Sequence, residues 1–152
     1  MALRFSTALR SAVIGTVGMA GALSTGIIEI YTGAQPASAD DPVAGTLLGR
    51  VTLNGAAFTP GTATNGLTFA AAANGTVAKS ATNWQFTGLA NGSAGWFRFK
   101  ANAVDAGALS TTHVRLDGSI ATSGGDMTIG NINVTTGAPN TVDQFVLTYP
   151  AQ

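Results

Sequence analysis

The sequence predicts an all-β fold, a jelly roll or β-sandwich of about eight strands preceded by a short N-terminal helix or extended arm. Its polar residues are mostly Thr, Asn, Ser and Gly, and they are interleaved with Val, Ile, Phe and Ala, a composition typical of strands and tight turns. Beyond the first 25 residues, no window sustains an apolar period near 3.6. No fixed-period repeat is visible either, so a propeller or solenoid is not expected.

The first predicted element is an interaction arm over residues 1–25. Leu9 and Val13 lie at helical spacing, but three glycines between residues 15 and 21 weaken an isolated helix by roughly 1 kcal/mol each relative to alanine. The arm is therefore either helical or extended, and a helix here needs a partner surface to stay ordered.

The same segment has a second interpretation, a secretion signal. A basic start and an apolar stretch are present, and Ala37-Ser38-Ala39 has the small-residue pattern of a cleavage site. However, that site lies sixteen positions beyond Leu23, and a charged, strand-like segment at 27–31 separates the two. This spacing favours the arm, with residues 33–45 as a rigid loop between two strands. Cleavage nearer to Leu23, around Gly21-Ala22-Leu23-Ser24, stays open as an alternative.

Residues 26–152 are predicted to form the β domain. Asn-Gly pairs supply turn signals between short alternating segments. In the last segment Phe145, Leu147 and Tyr149 are predicted to face the core, because alternate residues of a strand share a face. The predicted strands cover residues 27–32, 46–53, 67–72, 76–80, 83–87, 95–101, 114–121, 126–132 and 142–149.

The amino-acid composition limits the classes of partner that the chain is expected to bind. Only 9% of the residues are charged, against the ~25% usual for soluble domains, and seven basic and seven acidic residues give no net charge. Without a basic run the chain lacks the electrostatic footprint of a nucleic-acid binder. The apolar stretch near the N-terminus is too short for a membrane span. No cysteine is present. We therefore expect no nucleic acid and no membrane as partners, and a weakly charged surface that suits contact with other proteins.

No catalytic, cofactor or metal site is expected. His113 could pair with Ser110 or Ser119 and with Asp117, but neither serine lies in a nucleophile-elbow motif, so a surface histidine is favoured. Asp40-Asp41 could bind calcium, although the Asp-rich loop pattern of such sites is missing and a solvated loop is favoured. Scattered carboxylates could supply a glycosidase pair, but solvated surface positions are the favoured interpretation. They are Glu29, Asp105, Asp117, Asp126 and Asp143.

Trp96, Arg98 and Lys100 share one face of the clearest predicted strand, and Phe97 and Phe99 share the other. An exposed aromatic and basic stripe of this kind is used both by platforms for single-stranded nucleic acid and by protein interfaces. Because the chain is neutral, the interface is favoured.

Four runs of the chain carry a family resemblance. They are IIEIYTGAQPASADDPVAGTLLGRVTLNGAAFTPG (27–61), NGLTF (65–69), WQFTGLANGSAGWFRFKANAVDAGALSTT (84–112) and RLDGSIATSGGDM (115–127). Together with the N-terminal ALRFSTALRSAVIGTVG they resemble the capsid cement (decoration) proteins of tailed bacteriophages, as in Bordetella-type short-tailed phages.

The resemblance implies a jelly-roll body made in the host bacterial cytoplasm and bound to the outer surface of the capsid. Its implied partners are the major capsid protein and itself, as a dimer or trimer. A phage tail or head-completion protein, and a secreted carbohydrate-binding β-sandwich with Trp84 and Trp96 as its platform, remain as alternatives. The candidate contact residues are Leu3, Arg4, Phe5, Leu9, Arg10, Val13, Pro36, Asp40, Asp41, Trp96, Arg98 and Lys100.

Overall fold

A computed structural model describes residues 3–149. It is mostly β, with 38% of residues in strands and 10% in helices. The helices are α1 (Thr7–Ile14) and α2 (Gly18–Leu23). The strands are β1 (Arg4–Phe5), β2 (Ile27–Thr32), β3 (Leu47–Leu53), β4 (Thr76–Ala78), β5 (Trp84–Thr87), β6 (Gly92–Lys100), β7 (Arg115–Ala121), β8 (Met127–Ile129), β9 (Asn133–Val134) and β10 (Pro139–Thr148).

Seven strands close into a barrel in the order β2-β3-β5-β10-β8-β7-β6, and β6 pairs with both β2 and β7. All of these pairings are antiparallel except that of β7 with β8. The short strands β1, β4 and β9 add to β7, β10 and β6. The all-β prediction is confirmed. A jelly roll or sandwich is not confirmed, because the pairing of β6 with β7 closes one sheet on itself.

The strand boundaries follow the sequence closely at the centre of the barrel and less closely at its margins. β2 occupies the predicted residues, whereas the strand predicted over 67–72 is reduced to a bridge between Phe69 and Lys79. Tyr149 does not face the core and is 65% exposed, because β10 ends at Thr148 and the ring lies beyond the barrel.

Aromatic rings fill the barrel. Trp84, Phe97 and Phe99 surround Phe145, with ring centroids 5.4, 5.7 and 5.8 Å from it. All four side chains are fully buried. Edge-on and tilted aromatic pairs of this kind contribute roughly 0.5–1.5 kcal/mol each beyond the area they bury. The alternation predicted for β6 is therefore correct on its inner face.

The N-terminal segment, residues 3–25, is folded onto this barrel. β1 pairs with β7, and the Ser6 hydroxyl then accepts hydrogen bonds from the backbone N–H of Leu9 (3.1 Å) and of Arg115 (2.9 Å). The first bond caps α1, and the second ties the cap to the barrel. Leu9 and Leu23 are fully buried in the same cluster as the barrel core. The partner surface that a helix in the predicted arm needs is thus the chain's own barrel; Met1 and Ala2 lie outside the described residues.

Loop 33–45 packs against the start of α1. The Asp40 carboxylate accepts hydrogen bonds from the backbone N–H of Thr7 (2.8 Å) and from its hydroxyl (2.6 Å). Arg4 donates to the carbonyl of Pro36. Because the first turn of α1 contains no acidic residue of its own, Asp40 supplies the negative charge that the helix N-terminus favours.

Candidate functional site

Five strands carry one row of alternating charges across the outside of the barrel. In the strand register, Glu29 of β2 lies opposite Arg50 of β3 on one side and opposite Arg98 of β6 on the other. Asp117 of β7 in turn lies opposite Arg98 on one side and opposite Arg4 of β1 on the other. Residues paired in register point to the same face of a sheet. This charge row is therefore laid out by strand pairing, with opposite charges on neighbouring strands.

The centre of the charge row is a fully buried ion pair. Arg98 donates from Nε and Nη2 to the two oxygens of Asp117, at 2.8 and 2.7 Å, and both side chains are 0% exposed. Its Nη1 donates to the carbonyl of Asp41 at 2.9 Å, which fastens loop 33–45 to the sheet. Burial raises the pKa of Asp117, and the Arg98 guanidinium opposes that rise.

The Glu29 carboxylate is bound by three side chains that donate hydrogen bonds or carry a positive charge. Lys100 Nζ lies 2.6 Å from Oε2, the Tyr31 hydroxyl donates to the same oxygen at 2.6 Å, and Arg50 Nε donates to Oε1 at 3.1 Å. Burial alone raises the pKa of Glu29, but these donors, led by Lys100, outweigh it and hold the pKa below its usual value. Burial and the neighbouring Glu29 charge raise the pKa of Tyr31, which stays a phenol. The carboxylate is thus a fixed anion between Arg50 and Arg98 in the charge row.

A second bidentate pair joins Arg115 and Asp105. Arg115 Nε and Nη2 donate to the two carboxylate oxygens at 2.7 and 2.6 Å, and Nη2 also donates to the carbonyl of Ala108 at 2.8 Å. Although burial opposes ionisation, the Arg115 bonds and the Gly107 N–H lower the pKa of Asp105 to about 2. Loop 101–114 is therefore held against the barrel by an ion pair, and loop 33–45 by hydrogen bonds from Arg98 and Arg115 to its backbone carbonyls.

A cleft of about 590 Å³ lies beside the charge row, between residues 55–60 and 101–106. Glu29, Arg50 and Lys100 lie along it together with apolar side chains that include Leu89 and Val104. We call it the Arg50 cleft. Its residues come from four separate parts of the chain, and none of the sequence motifs brings them together.

A smaller groove of about 350 Å³ lies at another part of the surface and shares no residue with the Arg50 cleft. It is almost wholly apolar, with Val17, Met19, Val77, Leu147 and Tyr149 among its residues. The exposed fractions of Val17 and Tyr149 are 56% and 65%. The groove thus offers apolar surface at the junction of α2 with β4 and the end of β10.

No family model, curated protein or solved structure matches the chain. The function of the chain is therefore inferred from the geometry of the charge row, the Arg50 cleft and the apolar groove, and from the resemblance to capsid cement proteins.

The expectation of an exposed stripe on β6 is wrong. Trp96 and Arg98 are 0% exposed and Lys100 is 6% exposed, although the three do share one face. Trp96 stacks on Tyr31 with ring centroids 4.8 Å apart, and the guanidinium carbon of Arg98 lies over the Trp96 ring, 5.5 Å from its centroid. Alternation determines the face of the strand on which a side chain lies, but not whether that face is exposed. Loops 33–45 and 101–114 cover the face that carries these three side chains. Neither Trp84 nor Trp96 is an exposed carbohydrate platform, since both are fully buried.

Most of the other predicted contact residues are engaged within the chain. Arg4 binds the Pro36 carbonyl, Asp40 binds the start of α1, and Asp41 accepts from Arg98 through its carbonyl. Leu9 is in the core, while Arg10 is exposed on α1. Leu3, Phe5 and Val13 are partly buried and pack on the core. Pro36, Asp40 and Asp41 are also partly buried.

The residues considered for catalysis and metal binding are engaged elsewhere. Ser110 accepts from the backbone N–H of His113, Ser119 bonds Asp126, and Asp117 is bound to Arg98. Within residues 3–149, no group of three or more His, Cys, Asp or Glu side chains is placed to hold a metal ion. No helix in this part of the chain is long and apolar enough to cross a membrane.

Proposed function

We propose that this chain is a virion structural protein, a capsid cement (decoration) protein that binds the outside of a phage head at junctions between capsid subunits. It would stabilise the shell against DNA pressure. Its partners would be the major capsid protein and other copies of itself, as a dimer or trimer. The jelly-roll topology implied by the resemblance belongs to this proposal as well.

Depletion of surface charge is the observation that carries the proposal. The chain has seven basic and seven acidic residues, and three ion pairs take six of these fourteen side chains into the protein with exposed fractions of 0–7%. At most eight charged side chains are left for the surface. Protein interfaces are depleted of charge at their centres, whereas free soluble domains usually carry many surface charges. This surface suits a protein that works in an assembly.

Two separate apolar areas support a bridging role. One is the apolar groove, where Val17 and Tyr149 are exposed. The other is the wall of the Arg50 cleft, where Leu89 is 52% and Val104 is 77% exposed. A protein that clips two capsid subunits together must bury surface on both of them. Two apolar areas without a shared residue meet that requirement.

Rigidity is the second property that a clip needs. The seven-stranded ring leaves no free edge between its own strands, and buried arginines hold two long loops to its outer face. Arg98 donates to the Asp41 carbonyl of loop 33–45, and Arg115 forms the ion pair with Asp105 of loop 101–114. Separating Arg115 from Asp105 would leave both charges without a partner in a buried place, which opposes movement of loop 101–114. A rigid body loses little conformational entropy when it docks.

Purified protein mixed with empty, undecorated capsids tests the proposal. Many symmetry-related copies should appear on the outer surface by electron microscopy, and the decorated shells should resist heat or chelator better than bare ones. Binding at a single vertex would favour the tail or head-completion alternative. No binding to any part of the shell would overturn the proposal.

Substitutions sharpen this experiment. Val17→Asp and Val104→Asp each place a charge in one apolar area, so each should weaken capsid binding by tenfold or more, the equivalent of about 1.4 kcal/mol. Thr122→Asp is the matched control, because Thr122 is exposed and lines neither area. Equal binding by all three variants would show that neither area touches the capsid.

A further inference from the structure

We propose that the Arg50 cleft is a binding site for an amphipathic carboxylate, an apolar body that carries one carboxylate group. Its volume of about 590 Å³ is in the range of small-molecule sites, roughly 300–1,000 Å³. Like such sites, it combines apolar walls with a few polar groups at fixed positions. This inference does not depend on the capsid proposal, although Leu89 and Val104 belong to the surfaces that both proposals use.

Arg50 is the group that would receive the carboxylate. Its Nε donates to Glu29 Oε1 at 3.1 Å, which anchors the guanidinium, and its side chain is 53% exposed. Within residues 3–149 its two terminal nitrogens form no hydrogen bond, although they carry four of the five guanidinium N–H donors. An anchored guanidinium with free terminal donors is suited to bind a carboxylate through two parallel hydrogen bonds.

The charge balance of the cleft also favours an anion. Lys100 lies 2.6 Å from Glu29, so these two charges compensate each other. Asp105, which also lines the cleft, is neutralised by its bidentate bonds to Arg115. When Arg115 is counted with its partner Asp105, the charges at the cleft sum to +1, and the charge of Arg50 is the one left over.

The apolar walls of the Arg50 cleft determine the chemistry of the rest of the ligand, beyond its carboxylate. Phe58, Leu89 and Val104 line the cleft with several alanines, and Val104 exposes 77% of its surface. Covering this surface with an apolar ligand removes water from around Arg50, and a lower local dielectric strengthens the ionic contact. A sugar would leave these walls without apolar contacts, and a polyphosphate would meet only one uncompensated cation.

Titration of the ¹⁵N-labelled protein with octanoate tests the site, with acetate and octylammonium as matched probes. Octanoate should shift the amide signals of Ala57, Leu89 and Val104 saturably. Acetate lacks the apolar body and should bind at least tenfold more weakly. Octylammonium has the same body with the opposite charge and should not saturate these signals.

Two arginine substitutions separate the role of Arg50 from that of general charge. Arg50→Leu should weaken octanoate binding by about tenfold, while Arg10→Leu, which removes an exposed charge on α1 far along the chain, should leave it unchanged. Equal binding of octanoate and octylammonium, or no saturable shift at these amides, would overturn the proposal, and both outcomes are read on the unmodified protein. Capsid binding is measured separately, so the two proposals fail independently.

Discussion

Arg98 keeps its charge inside the protein because each of its three guanidinium nitrogens donates a hydrogen bond to an oxygen. Two N–H groups bind Asp117 and a third binds the carbonyl of Asp41. Replacing Arg98 by methionine leaves the Asp117 carboxylate buried without its partner, which costs roughly 3–5 kcal/mol. We expect Arg98→Met to lower the free energy of unfolding by this amount in urea titrations followed by tryptophan fluorescence.

The double variant Arg98→Met/Asp117→Leu removes both charges. It should recover most of the loss, because well-packed apolar side chains often replace a buried ion pair at little cost. Arg10→Met is the control at an exposed arginine and should change stability by less than about 0.5 kcal/mol. A double variant as unstable as Arg98→Met would mean that most of the lost stability comes from the hydrogen bond to the Asp41 carbonyl and not from the unpaired charge of Asp117.

Asp105 gives the protein a specific acid sensitivity. Its pKa is about 2 in the folded protein against an ordinary value of 3.8. A carboxyl group with a lowered folded pKa stabilises the fold above its ordinary pKa and loses that contribution as the pH falls through the folded value. We therefore expect the free energy of unfolding to fall between about pH 4 and pH 2. Glu29 and Asp40, with lowered pKa values, act in the same direction, and Asp117, with a raised pKa, acts against them.

Urea titrations across this range would test the Asp105 contribution. Asp105→Asn should be less stable at neutral pH, because Arg115 loses a buried partner, and its stability should fall less steeply in acid. Asp143→Asn, at an exposed position of β10, should keep the slope of the unmodified protein. An Asp105→Asn variant with an unchanged slope would contradict the assignment.

The alternation of the sequence predicted the face of β6 on which each side chain lies, but not whether that face is buried or exposed. Alternation alone placed Phe97 and Phe99 together and Trp96, Arg98 and Lys100 opposite them. Burial of the second set depends on covering loops, and the oxygen of Asp41 that meets Arg98 is 57 positions away in the chain. No local pattern carries that information. The Arg50 cleft was missed for the same reason.

At the scale of elements, the N-terminal segment and loop 33–45 stabilise each other. Thr7 donates to Asp40 from both its backbone N–H and its hydroxyl, at the first residue of α1. Hydrogen bonds to charged groups contribute roughly 1.5–3 kcal/mol, less where solvent reaches them. We expect Asp40→Ala to make the amides of α1 exchange with solvent about tenfold faster, while those of β6 stay unchanged.

Hydrogen exchange resolved by NMR would measure this effect, with Asp143→Ala as the control for loss of one carboxylate. Faster exchange throughout the barrel in Asp40→Ala would show that the contact supports the whole fold. The loop itself was predictable from its prolines and small residues. Its contact with α1 was not, because Asp40 and Thr7 are 33 positions apart.

At the scale of the whole molecule, composition was enough to predict an all-β protein but not a closed barrel. Closure requires β6 to pair on both sides, with β2 along one edge and with β7 along the other. Each of these strands has the alternation of any half-buried strand, so periodicity does not reveal the partner. The parallel pairing of β7 with β8, which follow each other in the chain, departs further from the hairpin that a short connection favours.

The barrel and the N-terminal segment share one hydrophobic core, so they should unfold together. Leu9 of α1 is fully buried in that core, whereas Ile14 of the same helix is 87% exposed. Leu9→Ala should cost roughly 2–5 kcal/mol, and Ile14→Ala less than about 0.5 kcal/mol. In urea, Leu9→Ala should shift the transitions seen by tryptophan fluorescence and by far-ultraviolet circular dichroism equally, because both tryptophans lie in the barrel. An unchanged fluorescence midpoint would instead make residues 3–25 an independent appendage that docks without stabilising the barrel.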